Sequence, residues 1–458
     1  MGPMTESTPL TQDEHHRVDA PAGPIIGKAQ GEVLRFLGIP YARAERFAPP
    51  EPVPPFTEPF HATRAAAAAP QGSSEVVSQA IEGIRTDRQD EDCQRLSLTV
   101  PADLAEDERL PVLVWIHGGS YVTGAGDLPI FDPTRLVTEQ RVIVVSVTYR
   151  LGVLGYLHLP GRSPANLGLL DQVAALRWVA ANIAAFGGDP EGVTLFGQSA
   201  GGDAVAHLMI ARGTEGLFRR AIVQSAPLGL LSGRTRMSEA MARAAGALLP
   251  DTSVRDLLAL QDKAAQAAKS FGLRSAMPFG VRYGHDPLPA EADRGRAWRE
   301  AAPRIDLLIG ATSQETGLFT EALPAVRKVI ELPLVGSTLR RILIRATTWR
   351  IYTGPARAFA RRHRRGGGDA VRYTFTWRPE GGRFGAAHIT DIPLLLGTRS
   401  SWEGTSLVGR TTWEEIDRRG RAVRRVWADF ARTGTVSAEA ARAASDSLTV
   451  HRSSSSRP

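Results

Sequence analysis

The sequence predicts an α/β protein with a mostly parallel central sheet covered by helices on both faces. Two observations carry that expectation. Several short apolar runs are continuous rather than alternating, as expected of strands buried on both faces. Between them lie stretches with apolar residues at helical spacing, and strands that alternate with helices argue for a parallel sheet. In chain order, VLVWI (112–116) is a run that ends at glycines, and RVIVVSVTYR (141–150) is a second, rich in β-branched residues. NLGLLDQVAALRWVAANIAAFG (166–187) reads as a helix with a glycine stop, VTLFG (193–197) as a strand and AGGDAVAHLMIA (200–211) as a helix. RRAIVQSA (219–226), RIDLLIG (304–310) and VRYTFTWR (371–378) complete the strand candidates.

The remaining segments take simpler assignments. Residues 1–20 are expected to be a flexible polar arm, 21–445 a single domain and 446–458 a disordered tail. Within the domain, about 228–300 lacks a strong strand and reads as a helical cap, and about 332–368 is an arginine-rich rim segment.

Composition excludes several classes. Of the 458 residues, 43% are hydrophobic and 22% charged, which rules out wholesale disorder. No uninterrupted apolar run reaches the ~18 residues of a membrane span, so integral membrane association is not expected. The opening MGPMTESTPLTQDEHHR lacks a basic-then-apolar export pattern, which points to the cytoplasm. A single cysteine, Cys93, excludes a disulfide scaffold and fits a reducing compartment. There is no Cys/His cluster with zinc spacing, so no metal site is expected.

The net charge is +7, yet nine arginines fall between Glu331 and Asp369, a stretch without one acidic residue. The basicity is therefore one local patch. No zinc-finger, ribonucleoprotein or basic-zipper signature accompanies it, and no nucleic-acid partner is expected. STLRRILIRATTWRIYTGPARAFARRHRR (337–365) could place Leu339, Ile342, Leu343 and Trp349 on one helical face with arginines beside it. That face is either a cover helix with a solvated arginine edge or a pocket rim that attracts anionic esters or lipid surfaces.

Two motifs carry chemistry. Gly197-Gln198-Ser199-Ala200-Gly201 stands between a strand and a helix, where a nucleophile elbow has to be. The glycines let the turn tighten until the serine hydroxyl stands clear of the sheet, and the following helix aims its N–H groups at a developing oxyanion. A chance G-x-S-x-G is common in a chain with 45 glycines; the strand before it and the small residues after it set this one apart. His117-Gly118-Gly119-Ser120 follows the VLVWI strand, and such a turn can converge backbone N–H groups on one point. A left-handed backbone at Ser120 would cost ~1–2 kcal/mol. The expected oxyanion donors are Gly118, Gly119, Ser120 and Ala200.

These motifs belong to a longer pattern. FLGIPYA (36–42), EDCQRLSL (91–98), PVLVWIHGGSYVTGAG (111–126), VTYRLGVLGYL (147–157) and the block from 166 to 202 stand in order. LFRRAIVQSA (217–226), LLIGATSQETGLF (307–319), GAAHITDIPLLLG (385–397) and VRRVWADFARTG (423–434) follow. On these stretches, from about 22 to 436, the chain resembles the type-B carboxylesterase family of α/β-hydrolases, to which the cholinesterases also belong. The resemblance implies the α/β-hydrolase fold and a triad in which Ser199 is the nucleophile, Glu315 the acid and His388 the base. Glu315 and His388 each lie in a loop after a strand candidate, consistent with one shared site. The chain departs from the family at Gln198, where relatives usually carry Glu, and Ala65–Cys93 holds no tryptophan, so cationic choline esters are not expected.

The expected activity is therefore hydrolysis of small-molecule carboxylic esters through an acyl-enzyme, with no cofactor. Two alternatives stand beside it: a catalytically silent protein-binding module, and a lipase-like esterase at anionic surfaces. Asp391 is expected to support the His388 loop, His207 to be a packed or surface residue, and Cys93 a small buried one.

Overall fold

The computed structural model describes residues 15–72, 80–81, 86, 88–246, 251–320 and 336–451. The chain opens with an antiparallel set, β1 (His15–Ala20), β2 (Gly23–Gln30), β3 (Val33–Pro40) and β4 (Arg95–Pro101). Six mutually parallel strands follow: β5 (Leu110–Ile116), β6 (Ile143–Thr148), β7 (Gly188–Gln198), β8 (Arg220–Gln224), β9 (Asp306–Thr312) and β10 (Ala370–Phe375). An antiparallel β11 (Leu448–His451) closes the sheet. Its spatial order is β1-β2-β3-β4-β6-β5-β7-β8-β9-β10-β11. Strands β5, β6 and β9 coincide with continuous apolar runs buried on both faces, whereas β10 (AVRYTF) carries Arg372 and Thr374 and is half-buried at three of its six positions.

Alternation along β5 shows the two layers. Val112, Val114 and Ile116 enter one apolar core with Ile143 and Leu195, whereas Leu113 and Trp115 enter the other with Phe196 and Leu308. Helices cover both sides: α1 (Leu167–Asn182), α2 (Ala200–Leu208), α3 (Thr235–Ala245), α4 (Val254–Ala268), α5 (Arg294–Ala301), α6 (Gly336–Thr348), α7 (Gly354–Arg365) and α8 (Trp413–Thr433). The stretch Leu167–Phe186, containing α1, is long and apolar enough to cross a membrane. Here it serves the core instead, with Leu169, Val173, Leu176 and Val179 buried.

Two expectations are corrected. The arm over 1–20 is not free as far as it is described: His15–Ala20 pairs antiparallel with β2, from His15↔Lys28 to Ala20↔Gly23. Every second residue (His16, Val18, Ala20) is half-buried, so backbone pairing and one shielded face hold a polar edge strand. The tail over 446–458 likewise contains β11, held by antiparallel pairing such as Tyr373↔Val450 and by the full burial of Leu448. Residues 1–14 and 452–458 lie outside the described residues, as do 247–250 of the cap and 332–335 of the rim. The cap expectation over 228–300 corresponds to α3, α4 and α5 in the described part.

The arginine-rich stretch is two helices rather than one. Between α6 and α7 the chain widens into a π-helical turn over Trp349–Thr353. Pro355 explains the break, since it has no N–H to donate into an α-helical ladder. Leu339, Ile342 and Trp349 do lie exposed, while Leu343 is half-buried.

Candidate active site

Strand β7 delivers Ser199 at its C-terminal end, and α2 starts at the next residue. Ser199 has φ 60° and ψ −123°, a conformation that L-residues avoid. Two backbone bonds hold it there: Ser199 N–H donates to Gln224 O at 2.9 Å, and Ser199 O accepts from Asp203 N–H at 2.9 Å. Gly201 permits the tight turn, because a Cβ there would sit 1.9 Å from Ile116 O. The Ser199 hydroxyl makes no hydrogen bond among the described residues, and the residue is only partly buried.

The turn after β5 lies against this elbow. A Cβ on Gly118 would come within 3.1 Å of Ser199 Cβ, so the two loops pack backbone to backbone. Ser120 and Tyr121 have φ of 55° and 62°, so the left-handed conformation weighed for Ser120 is present and extends one residue further. The Tyr121 hydroxyl donates to Asp203 Oδ2 at 2.6 Å, tying the turn to α2. The N–H groups of Gly118, Gly119, Ser120 and Ala200 donate to no acceptor among the described residues. They are thus available to an oxyanion beside Ser199. Burial pushes His117 down to about 4, so its imidazole is a neutral structural group, stacked on Tyr149 at 4.4 Å.

Glu315 and His388 arrive from the loops after β9 and β10. They meet: Glu315 Oε2 lies 2.5 Å from His388 Nδ1. The other carboxylate oxygen accepts from Thr312 N–H at 2.6 Å, and Glu315 is fully buried. The two loops are joined by backbone bonds, His388 N–H to Glu315 O at 3.1 Å and Gln314 N–H to Ala386 O at 2.9 Å. A proton on His388 Nδ1 thus has a fixed acceptor, which leaves Nε2 free to act as a base. In this resting arrangement His388 Nε2 lies 3.3 Å from the Gln198 side-chain amide, not in a hydrogen bond with Ser199. The imidazole is therefore within reach of the residue next to Ser199, with the hydroxyl itself unengaged.

Other side chains at the site have weak or no local signals. Tyr352, from the π-helical turn, sets its ring 5.5 Å from the His388 ring, and Phe319 sets another at 5.4 Å. Asp391 is buried behind the histidine, with Oδ2 accepting from Gln224 Nε2 at 3.0 Å and Oδ1 without a partner. Burial first, with the Glu315 charge adding, pushes Asp391 up to about 6 against the Gln224 bond and the His388 charge. Gln224 is itself held by Trp427 Nε1 at 3.1 Å from α8. His207 is a packed residue, 2.7 Å from Asp203 O and 2.8 Å from the Tyr283 hydroxyl. Cys93 is buried and free, and burial raises its thiol well above the usual range. Among the described residues, no three His, Cys, Asp or Glu side chains group as metal ligands.

Comparison with known proteins adds to this geometry. Residues 14–332 match the model of the carboxylesterase family. A protein described as a probable N-octanoylanthranilate hydrolase of Rhodococcus erythropolis is 38% identical over 427 residues, covering 92% of this chain and 93% of that protein. The para-nitrobenzyl esterase of Bacillus subtilis (strain 168) is 33% identical over 465 residues, covering 93% and 91%. Among solved structures, a thermophilic PNB esterase superposes with a TM-score of 0.74 at 30% identity, over 94% of this chain and 92% of that one.

Proposed function

The chain belongs to the carboxylesterase family and is a carboxylic ester hydrolase of the serine type, and from that premise we propose that Ser199, His388 and Glu315 are its catalytic triad. One observation carries the assignment. Two side chains 73 residues apart meet at 2.5 Å, and the neighbour of the strained serine touches the same imidazole.

The chemistry follows from the atoms. With a substrate bound, the Gln198 amide yields its place and His388 Nε2 takes the Ser199 proton; catalytic hydrogen bonds are often loose before substrate arrives. Ser199 Oγ bonds to the ester carbonyl carbon, and the carbonyl oxygen takes up the negative charge. Gly118, Gly119, Ser120 and Ala200 N–H groups receive that charge, each contributing on the order of 3 kcal/mol. Glu315 stabilises the imidazolium and keeps its tautomer. The carbon–alkoxide bond then breaks as His388 returns the proton to the leaving alcohol. Water, deprotonated by His388, attacks the acyl carbon, and as the Ser199 Oγ–acyl bond breaks His388 returns that proton to Ser199, freeing the carboxylic acid.

The substrates are small-molecule esters. A neutral Gln198 beside the base and the lack of tryptophan in 65–93 support uncharged or anionic esters over cationic ones. The single cysteine, free and buried, supports a cytoplasmic location.

The test combines Ser199→Ala with a fluorophosphonate probe. The variant should lose at least ~10³-fold in turnover, and the wild type alone should be labelled. Near wild-type hydrolysis by the variant would place the nucleophile elsewhere; an unlabelled, inactive wild type would indicate a binding module. Aryl esters from acetate to decanoate then separate a short-chain esterase from a lipase-like one. N-octanoylanthranilate joins that series because the Rhodococcus relative is named for it.

A further inference from the structure

The arginine-rich stretch contains an arrangement that ester hydrolysis does not use. Five large apolar side chains are exposed among the described residues, and three of them, Leu339 (39%), Ile342 (60%) and Trp349 (52%), lie along α6 and the turn after it. Their spacing of three and seven residues puts them on one stripe. Exposed apolar groups gathered in one place mark a binding surface more often than scattered ones do.

Next to the stripe a cavity of about 670 Å³ opens between α6, the π-helical turn, α7 and strands β9 and β10. Ile309–Ala311 of β9 lie along it, and none of Ser199, Glu315 and His388 does. Ile342 and Trp349 supply apolar wall, while Arg345, Arg357 and Arg372 supply charge of a single sign. Among the described residues, no acidic side chain lines it. The Arg357 guanidinium is held 5.1 Å above the Trp349 ring, so its position is set by that aromatic contact. Arg372 carries its proton less firmly than a free arginine, because of burial first and then the like charges of Arg357 and Arg364. Cations gathered beside apolar surface are relieved by an anion that brings its own apolar body.

From the cavity's size and these two kinds of wall, we infer that it is a second ligand site for a small anionic amphiphile, a carboxylate head on an alkyl or aryl body. The head pairs with Arg345, Arg357 and Arg372, whose planar forks match a carboxylate. The body lies against Ile342 and Trp349. A volume of this size falls within the ~300–1,000 Å³ usual for small-molecule sites. The inference concerns a cavity apart from the triad and does not depend on how that triad is assigned.

The test uses the full-length enzyme and decanoate below its micellar concentration, with equilibrium dialysis and tryptophan emission as readouts. Decanoate should bind and change the emission, and Trp349→Phe should remove most of that change. Arg345→Glu combined with Arg357→Glu should weaken this binding at least about tenfold. Both arginines are exposed and outside the hydrolytic machinery, so para-nitrophenyl acetate hydrolysis should stay at the wild-type rate and report an intact fold. Decanol, with the same body and no charge, should bind at least about tenfold more weakly. Unchanged decanoate affinity in the double variant would overturn the inference, as would decanol binding as tightly as decanoate. Binding to phosphatidylserine vesicles without binding of monomeric decanoate would also overturn it, in favour of a membrane-docking face.

Discussion

Asp391→Asn isolates one buried carboxyl and gives a number to measure. The side chain is almost fully buried, its Oδ1 has no partner, and its pKa rises from 3.8 to about 6. The folded protein therefore holds a proton that the unfolded chain has already released, so stability falls as pH rises between those values. A shift of roughly two units at ~1.4 kcal/mol each amounts to ~3 kcal/mol in total. The loss starts near the unfolded value and levels off above the folded one, which leaves roughly 2 kcal/mol of it between pH 4.5 and 7. Asparagine can still accept from Gln224 with its amide oxygen and cannot ionise. Urea unfolding of both proteins across that range is the assay. The wild type should lose stability relative to the variant by that amount as pH rises. Parallel stability curves would falsify the reasoning, because they would mean that Asp391 either ionises normally or stays neutral throughout.

Three further outcomes follow from the same geometry. Glu315→Gln should lower kcat/KM by about 10³–10⁴-fold with little change in fold, since an amide nitrogen facing His388 Nδ1 imposes the tautomer that cannot act as a base; steady-state kinetics on an aryl ester checks it. Gln198→Glu puts a negative charge where the amide now lies 3.3 Å from His388 Nε2. It favours the imidazolium, so the acidic limb of the pH–rate profile should move to higher pH by up to about one unit, and an unmoved limb would refute the contact. Gly201→Ala forces a methyl to 1.9 Å from Ile116 O and should destabilise by at least about 3 kcal/mol, read as a lowered urea midpoint.

Legibility in the sequence followed burial. Strands β5, β6 and β9 were readable as continuous apolar runs buried on both faces, and β10, with Arg372 and Thr374 in it, from its β-branched and aromatic residues. HHRVDA was not, since an edge strand needs only a half-shielded face and its polar residues resemble those of a loose arm. Ser199 was visible locally, through a motif whose glycines answer to measurable backbone clashes. Glu315 and His388 had no local signal beyond standing after a strand; family resemblance singled them out, and the fold brings them together. Tyr352, Gln224 and Trp427 were invisible for a physical reason. They act through contacts made across the sheet or from an irregular turn, and no spacing in one dimension encodes those.

Backbone strain links these pieces. Eight non-glycine residues have left-handed φ among the described residues, and five of them are Ser120, Tyr121, Ser199, Ser225 and Ile389. Each belongs to or adjoins a loop that supplies the site: Ser225 follows Gln224, and Ile389 (φ 77°) follows His388. A β-branched residue in that region is the least tolerated of all. At ~1–3 kcal/mol per residue the strain is large against the stability of a whole domain, so packing elsewhere has to offset it. The buried core around β7 and β8 does so, and Ser199 N–H bonding to Gln224 O makes the link direct. The strain and the rigid core are thus two sides of one arrangement. Loops that relaxed to ordinary backbone angles would reorient Ser199 and His388 and the backbone N–H groups beside them.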